Sequence, residues 1–408
     1  LIKRALASQS PAKNSYDVVI IGGAMMGSST AWFLASNPDF QGSILVVERD
    51  LTYQKSSTAH TNSCMRQQFS TMLNVQISQF AAEFVKNLRG YMGGDLRVPD
   101  LTIKNYGYLY LANKMAFADV LRDNQKVQLA AGAGTTLLTP EQILIKYPFY
   151  NVDDILLGSI NTVDEGYWDG GTVFDWLGRS AREKGAEYIN NEVIAMTKNQ
   201  RGDRVESVTL VSGEVVESGL VVNASGPRAS HTAQMLGIFI PVEPRKRFTW
   251  VFSARNPLDR ELPLTIDPSG VHMRQDGPET YLAGGRSDKD PAVDYDDFSM
   301  DYGLWESHIW PIIAMRVPQF ESIKVINEWA GHYAYNTLDQ NAVIGPHGRV
   351  QNFLFINGFS GHGLQQSPAM GRGLSEHIIY GEYRSLDLST FGYERVIKNE
   401  AIIERAII

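Results

Sequence analysis

The stretch Tyr16-Asp17-Val18-Val19-Ile20-Ile21-Gly22-Gly23-Ala24-Met25-Met26-Gly27 decides the fold. Four consecutive aliphatic residues read as a strand buried on both faces. The glycines then force a tight turn, and a helix opens at Met25 and Met26. A second apolar run, Ile44-Leu45-Val46-Val47, ends in Glu48, 21 residues after Gly27. Strand, glycine turn, helix, strand and terminal acid follow in the order of a dinucleotide-binding βαβ unit. Gly22 and Gly23 permit the turn. Ala24 stands where the motif has its second glycine, and its methyl is small enough to admit a pyrophosphate. Gly27 lets helix and strand pack closely. The helix N-terminus offers free N–H groups and a positive dipole end to the phosphates. Glu48 can accept hydrogen bonds from ribose hydroxyls, with Arg49 beside it.

Composition narrows the class. The 408 residues suffice for two domains or one large discontinuous one. A hydrophobic content of 43% and a charged content of 20% suit a globular enzyme. The net charge of -8, with no long basic run, argues against nucleic acid as a partner. The single cysteine, Cys64, excludes an intramolecular disulfide and a cysteine zinc cluster. Nor do the histidines show metal-ligand spacing. No apolar run reaches transmembrane length. The chain starts at Leu1, and residues 1–14 are polar with Lys3, Arg4 and Lys13. They read as an ordinary tail or the remnant of a leader. The expected location is the cytoplasm of a bacterium, or the mitochondrial matrix in a eukaryote.

Along the chain, residues 72–93 carry apolar positions at helical spacing, and Tyr106–Ala112 alternates as a strand. Thr139-Pro140-Glu141 opens a helix. Residues 172–184 read as helix, Ala186–Val193 leads into a strand, and Val205–Val216 is a hairpin around Ser212-Gly213. Residues 241–325 read as sheet plus one helix. Leu220–Gly226 and Phe353–Gly358 are buried strands running into glycine turns, and a helix spans about Pro368–Tyr380. Three buried strands thus end in glycine near residues 22, 226 and 358. Ligands of open α/β sheets sit at such strand ends. Three turns converging on one long ligand suit FAD, and require a discontinuous cofactor domain.

Val221-Val222-Asn223-Ala224-Ser225-Gly226 and Gly358-Phe359-Ser360-Gly361-His362-Gly363 resemble the two later FAD motifs of the D-amino-acid-oxidase superfamily, which includes sarcosine oxidase and dimethylglycine dehydrogenase. Four further stretches resemble one subgroup: Arg66-Gln67-Gln68-Phe69-Ser70, Pro241–Arg247, Trp329-Ala330-Gly331 with Tyr335-Asn336-Thr337, and Gly361-His362-Gly363-Leu364-Gln365-Gln366. That subgroup is typified by a mitochondrial FAD-dependent oxidoreductase domain protein linked to complex I assembly. The resemblance implies a mixed α/β fold, a glutathione-reductase-like Rossmann domain with an inserted mixed β-sheet. Residues 15–100, 155–228 and 328–385 are expected to form the FAD domain, 101–154 and 229–327 the substrate domain, and 386–408 a C-terminal tail. The implied chemistry removes hydride from a carbon bearing an amine, giving an imine that water hydrolyses. The expected substrate is an amino acid or secondary amine.

The resemblance also assigns residues. Ser56, Ser57 and Thr58 fall where hydroxyls and turn N–H groups hold the pyrophosphate. Val193, Ala224, Ser225, Gly226 and Gly358 join the cofactor contacts, as do Gly361, His362, Gly363, Leu364 and Gln365. Arg66 matches an arginine beside the flavin, and His362 a flavin contact. The next arginine of that region, which clamps the substrate carboxylate, falls at Phe69. Arg286 lies where a substrate-facing histidine stands in the sarcosine oxidases, and could bind a carboxylate through two hydrogen bonds. Pairing with Asp288 or Asp290 is its alternative role. Arg274 is a second candidate. His60, in Ser57-Thr58-Ala59-His60, is either the site of a covalent flavin bond or a histidine stacked near the cofactor. His332 falls near the cysteine that holds flavin in the sarcosine oxidases. Asp294–Asp297 lacks a calcium-loop pattern and reads as a solvated loop.

Leu282 and Gln365 occupy the places of two lysines that help oxygen react in the oxidases. Their loss points to a dehydrogenase passing electrons to a quinone or an electron-transfer flavoprotein. Two other readings stay open. One is a flavin dehydrogenase of 2-hydroxy acids, and the other an assembly factor for a respiratory complex that retains FAD for stability.

Overall fold

The computed structural model describes residues 8–406; Lys3 and Arg4, and with them the first half of the leader reading, lie outside it. An eight-stranded sheet forms the first layer system. Its main path runs Val343–Pro346, Phe353–Asn357, Val215–Asn223, Ser15–Ile21, Ile44–Glu48, Glu187–Asn190. The last five of these are parallel neighbours. The strand Val215–Asn223 also pairs antiparallel with Val205–Leu210, which is the hairpin expected around Gly213. Helices Met25–Ser36, Gly170–Glu183 and Gly363–Tyr380 cover one face with a large apolar core. A second core on the other face surrounds Val19, Ile21 and Val221. Burial on both faces explains the unbroken Val18–Ile21 run.

Register makes the site. Ile21 lies opposite both Val47 and Asn223, and Asn223 lies opposite Phe355. The carboxyl ends of four strands are therefore level, and the glycine turns that follow three of them open onto one crevice.

The second sheet also has eight strands, in the order Ile323–Asn336, Val242–Ala254, Thr280–Gly285, His272–Gln275, Leu264–Ile266, Tyr108–Ala112, Leu157–Asn161, Thr136–Leu138. Two of them lie wholly or partly in segments expected for the FAD domain. Leu157–Asn161 pairs with Tyr108–Ala112, and Ile323–Asn336 pairs along thirteen positions with Val242–Ala254. Boundaries at 155 and 328 therefore cut through this sheet, because the partners of these strands lie far away in sequence.

The segment read as a C-terminal tail is packed against the core of the molecule. Glu404 accepts hydrogen bonds from the backbone N–H groups of Ser70 and Thr71, and the Ala406 carbonyl accepts one from Arg66. The helix Met115–Ala130 was not anticipated, since only Ala118, Leu121, Asn124 and Gln128 are buried on it and the apolar line is thin. Thr139 caps Pro140–Lys146 through a capping box with Gln142. The helix expected from Pro368 begins at Gly363. Proline lacks the N–H that would serve the Leu364 carbonyl. The Ser367 hydroxyl donates to that carbonyl instead, at 2.9 Å.

Candidate active site

One cavity runs along the level strand ends. Its walls include Gly22, Ala24, Met25 and Met26 from the first turn, Ala224, Ser225 and Gly226 from the second, and Gly361 to Gln365 from the third. Glu48, Arg49, Ser56, Ser57, Thr58, His60, Arg66 and Val193 also face it. Three expected positions act from behind. Gly23 donates its N–H to Glu48 at 2.8 Å. A Cβ on Gly27 would stand 1.9 Å from the Gly22 carbonyl oxygen. Gly358 holds a left-handed φ of 77° and packs against Val242 and Asn336.

The residues present fit FAD. The helices Met25–Ser36 and Gly363–Tyr380 both begin at the cavity wall, and neither carries a side-chain N-cap bond. Their N-terminal N–H groups, of which Met25 is bonded to Thr58, and their dipole ends suit phosphate and an electron-rich ring. Glu48 is fixed by the N–H groups of Gly23 and Asp50, with its carboxyl pushed up by burial. Gln365 Oε1 accepts from the Arg66 backbone N–H at 2.9 Å, while its buried Nε2 lacks an acceptor among the described residues. Thr58 Oγ1 accepts from the Met25 N–H, and Ser57 donates to the His332 carbonyl.

Arg66 is 2% exposed and its guanidinium makes three hydrogen bonds. Nη1 donates to the carbonyls of Gln68 and Ala406, at 2.6 and 3.0 Å. Nη2 donates to His362 Nε2 at 2.7 Å. Since guanidinium only donates, His362 must accept at Nε2 and carry its proton on Nδ1. Burial, followed by the Arg66 charge, holds the imidazole pKa well below 6.5. His362 is therefore a neutral ring. Glu165 supports this arrangement from beneath: it accepts from the Gln67 N–H and Gln68 Nε2, and burial pushes its carboxyl up to about 8. The Gly361 site needs glycine because a Cβ there would meet the Tyr333 ring at 2.4 Å.

The other arginines lie elsewhere. Arg274 faces neither this cavity nor the one beside it; its Nη1 donates to Gln275 O and Asp276, and it lies over the Tyr167 ring. Arg286 is outside the first cavity, with 55% of its side chain exposed and Asp290 at 3.4 Å. Its pairing alternative is thus present. The Asp294–Asp297 loop is at the surface, with Asp294 and Asp296 exposed, and ion pairs hold it: Asp296 with Arg49 and Lys55, and Asp297 with Lys246. Phe298 stacks between the rings of His60 and His332. Cys64 faces the same cavity as His332.

Sequence reading missed Arg247, His272 and Tyr333, all on cavity-facing strands. Arg247 binds Asp290 through both Nη atoms, at 2.6 and 3.1 Å. Its alternation with Arg245 was the available signal; nothing marked His272. The His272 Nε2 lies 2.9 Å from Asn62 Nδ2, and its Nδ1 is buried without a partner among the described residues. Burial, then Arg274 and Arg247, pushes the His272 pKa down to about 4. The folded state therefore refuses a proton that the unfolded chain takes up at 6.5. Stability is complete above pH 6.5 and falls as the pH drops towards 4, by about 3 kcal/mol from this residue. Urea midpoints at pH 7.5 and 4.5 should show that loss, and His272→Gln should reduce it. An equal loss in the variant would show that His272 is not its source.

Comparison with known proteins is consistent with this geometry. Residues 17–377 match the family model described as DAO, FAD dependent oxidoreductase. The chain is 37% identical to the FAD-dependent oxidoreductase domain-containing protein 1 of Xenopus laevis, over 96% of this chain and 85% of that one. It is 24% identical to the mitochondrial sarcosine dehydrogenase of Mus musculus, covering 97% of this chain and 43% of that protein. Among solved structures it resembles L-proline dehydrogenase from P. horikoshii, with a TM-score of 0.82, 24% identity, and coverage of 95% and 100%.

Proposed function

The chain belongs to the DAO family of FAD-dependent oxidoreductases, and from that premise we propose that it oxidises the C–N bond of an amino acid or secondary amine. When bound, FAD supplies the acceptor for a hydride leaving the substrate carbon. As that C–H bond breaks, the nitrogen lone pair forms the C=N bond, the N–H proton is released, and water hydrolyses the imine.

One observation carries the choice of an amine: the groups beside Gly361–Gln365 include no strong base. His362 and His272 are held neutral at depressed pKa values. Tyr108, Tyr333 and Cys64 are pushed up by burial and keep their protons. A hydroxy acid needs a base for its hydroxyl proton. An amine that enters uncharged needs none for hydride loss. The names of sarcosine dehydrogenase and L-proline dehydrogenase support the same substrate class.

Arg66 is the fixed cation of this end, and its bond to His362 orients a neutral ring beside the helix N-terminus. Leu282 is 1% exposed and faces neither cavity, and Gln365 is uncharged. Without a lysine at either place, the favoured electron acceptor is a quinone or an electron-transfer flavoprotein. Anaerobic bleaching of the flavin band by amines, with slow recovery in air, is the expected behaviour. Bleaching by 2-hydroxy acids alone would overturn the amine reading, and rapid recovery in air would overturn the choice of acceptor.

A further inference from the structure

A second cavity adjoins the first, and Arg247, His272 and Tyr333 line both. These three side chains form the wall between the chambers. The outer chamber also contains Arg286 and Lys114, both exposed, so it opens to solvent.

Its charge is unbalanced. Asp290 is 5% exposed and is the shared partner of Arg247 and Arg286. Arg247 takes both carboxylate oxygens at short range, leaving Arg286 a contact of 3.4 Å. Arg245 also touches Asp290, at 3.5 Å, but has Glu243 as a nearer partner at 3.2 Å. Lys114 pairs with no acid among the described residues. It is the N-cap of the 16-residue helix Met115–Ala130, which has no side-chain cap, so the helix dipole adds to the positive potential. Asp267, the one acid lining the chamber among the described residues, lies 2.8 Å from the fully buried Arg316, which Asp154 shares.

The wall carries an unmet donor. Asn62 Nδ2 donates to His272 Nε2, so the neutral ring has its proton on Nδ1. That buried N–H has no acceptor among the described residues. A buried donor left unpaired is costly, and an acceptor brought by a ligand would recover that cost.

We propose that the outer chamber binds a second acidic group of the substrate, so that the enzyme's substrate is an amine or amino acid carrying a carboxylate remote from the reacting carbon. This rests on the amine reading above. Arg286 receives that carboxylate through charge-assisted hydrogen bonds, with Lys114 and the helix N-terminus adding long-range attraction. His272 Nδ1–H donates to a substrate oxygen at the wall, where the molecule passes from one chamber to the other. Because the wall separates this carboxylate from the flavin end, the two ends of the substrate are read by different residues.

The test uses redox-inert probes, so its outcome is independent of whether an amine is oxidised. Glutarate and butyrate are titrated by calorimetry into the FAD-loaded protein, its Arg286→Gln variant and its Arg286→Lys variant. Glutarate should bind at least ~10-fold more tightly than butyrate. Arg286→Gln should remove most of that difference while leaving butyrate affinity as it was, and Arg286→Lys should keep part of it. Equal affinities for the two acids, no glutarate binding, or equal weakening of both by Arg286→Gln would each overturn the proposal. If amines bleach the flavin while glutarate fails, the amine reading stands and the dicarboxylate specificity falls. If glutarate binds as expected while no amine bleaches the flavin, the outer chamber's carboxylate site stands and the amine identity of its substrate falls.

Discussion

Gly27→Val is expected to yield a protein that retains no FAD. The added Cβ would sit 1.9 Å from the Gly22 carbonyl oxygen and 3.2 Å from Ile20. The first of these neighbours is backbone, so it cannot rotate away. Relief requires the helix Met25–Ser36 to move off the strand Ser15–Ile21, and that movement opens the phosphate cradle. It also disturbs the packing of this helix on Gly363–Tyr380, where a Cβ on Gly371 would meet Ser29 Oγ at 2.1 Å. Overpacking of this kind costs about 1–3 kcal/mol or more. Gly22→Ala gives a graded comparison. At φ 101° with Ala224 O 2.5 Å from the new Cβ, it should weaken FAD by ~10–100-fold and leave the chain folded. Absorbance of the purified proteins and titration of the apoproteins with FAD check both. A yellow Gly27→Val protein with ordinary affinity would contradict the close packing described for this helix.

Arg66→Met is expected to lower turnover by ~10²–10³-fold, the range for losing one fixed electrostatic contact at a reacting centre. The same change strips donors from Gln68 O, Ala406 O and His362 Nε2, so stability should also fall by about 2–5 kcal/mol. A diagnostic readout separates this role from a merely structural one. With the neighbouring charge gone, the His362 pKa rises, although burial still holds it below 6.5. The acid limb of the flavin reduction rate should move to higher pH in the variant. Arg66→Lys keeps the charge without the planar fork, and should recover part of the rate. An unchanged pH profile in Arg66→Met would break the link between Arg66 and His362.

The cofactor half of the site was legible because its signals are local. Gly22, Gly226 and Gly361 each take a positive φ in a turn that follows a buried strand, and Glu48 ends a strand at a fixed distance from the first turn. Such features lie within one short stretch of sequence. The substrate half depends on which strands become neighbours. Arg247 stands opposite Gly331, and His272 opposite Gly284, through long-range pairing that no short motif records. Arg274 illustrates the difference. It follows His272 by two residues on the same strand, yet pairs with Asp276 outside the cavity. Arg286, expected at a substrate-facing position where it could bind a carboxylate, follows the strand Thr280–Gly285 and lines the outer chamber. The helix Met115–Ala130 was hidden by its own polarity, and the start of Gly363–Tyr380 by Pro368, whose lost hydrogen bond Ser367 replaces.

The most direct measurement is the anaerobic absorbance spectrum of the FAD-loaded protein, titrated with N-methyl amino acids, proline-type acids, ordinary amino acids and 2-hydroxy acids. The account predicts loss of the flavin band with at least one amine, release of the hydrolysed imine product, and no loss with hydroxy acids. A flavin band untouched by every amine, or bleached only by hydroxy acids, would contradict it.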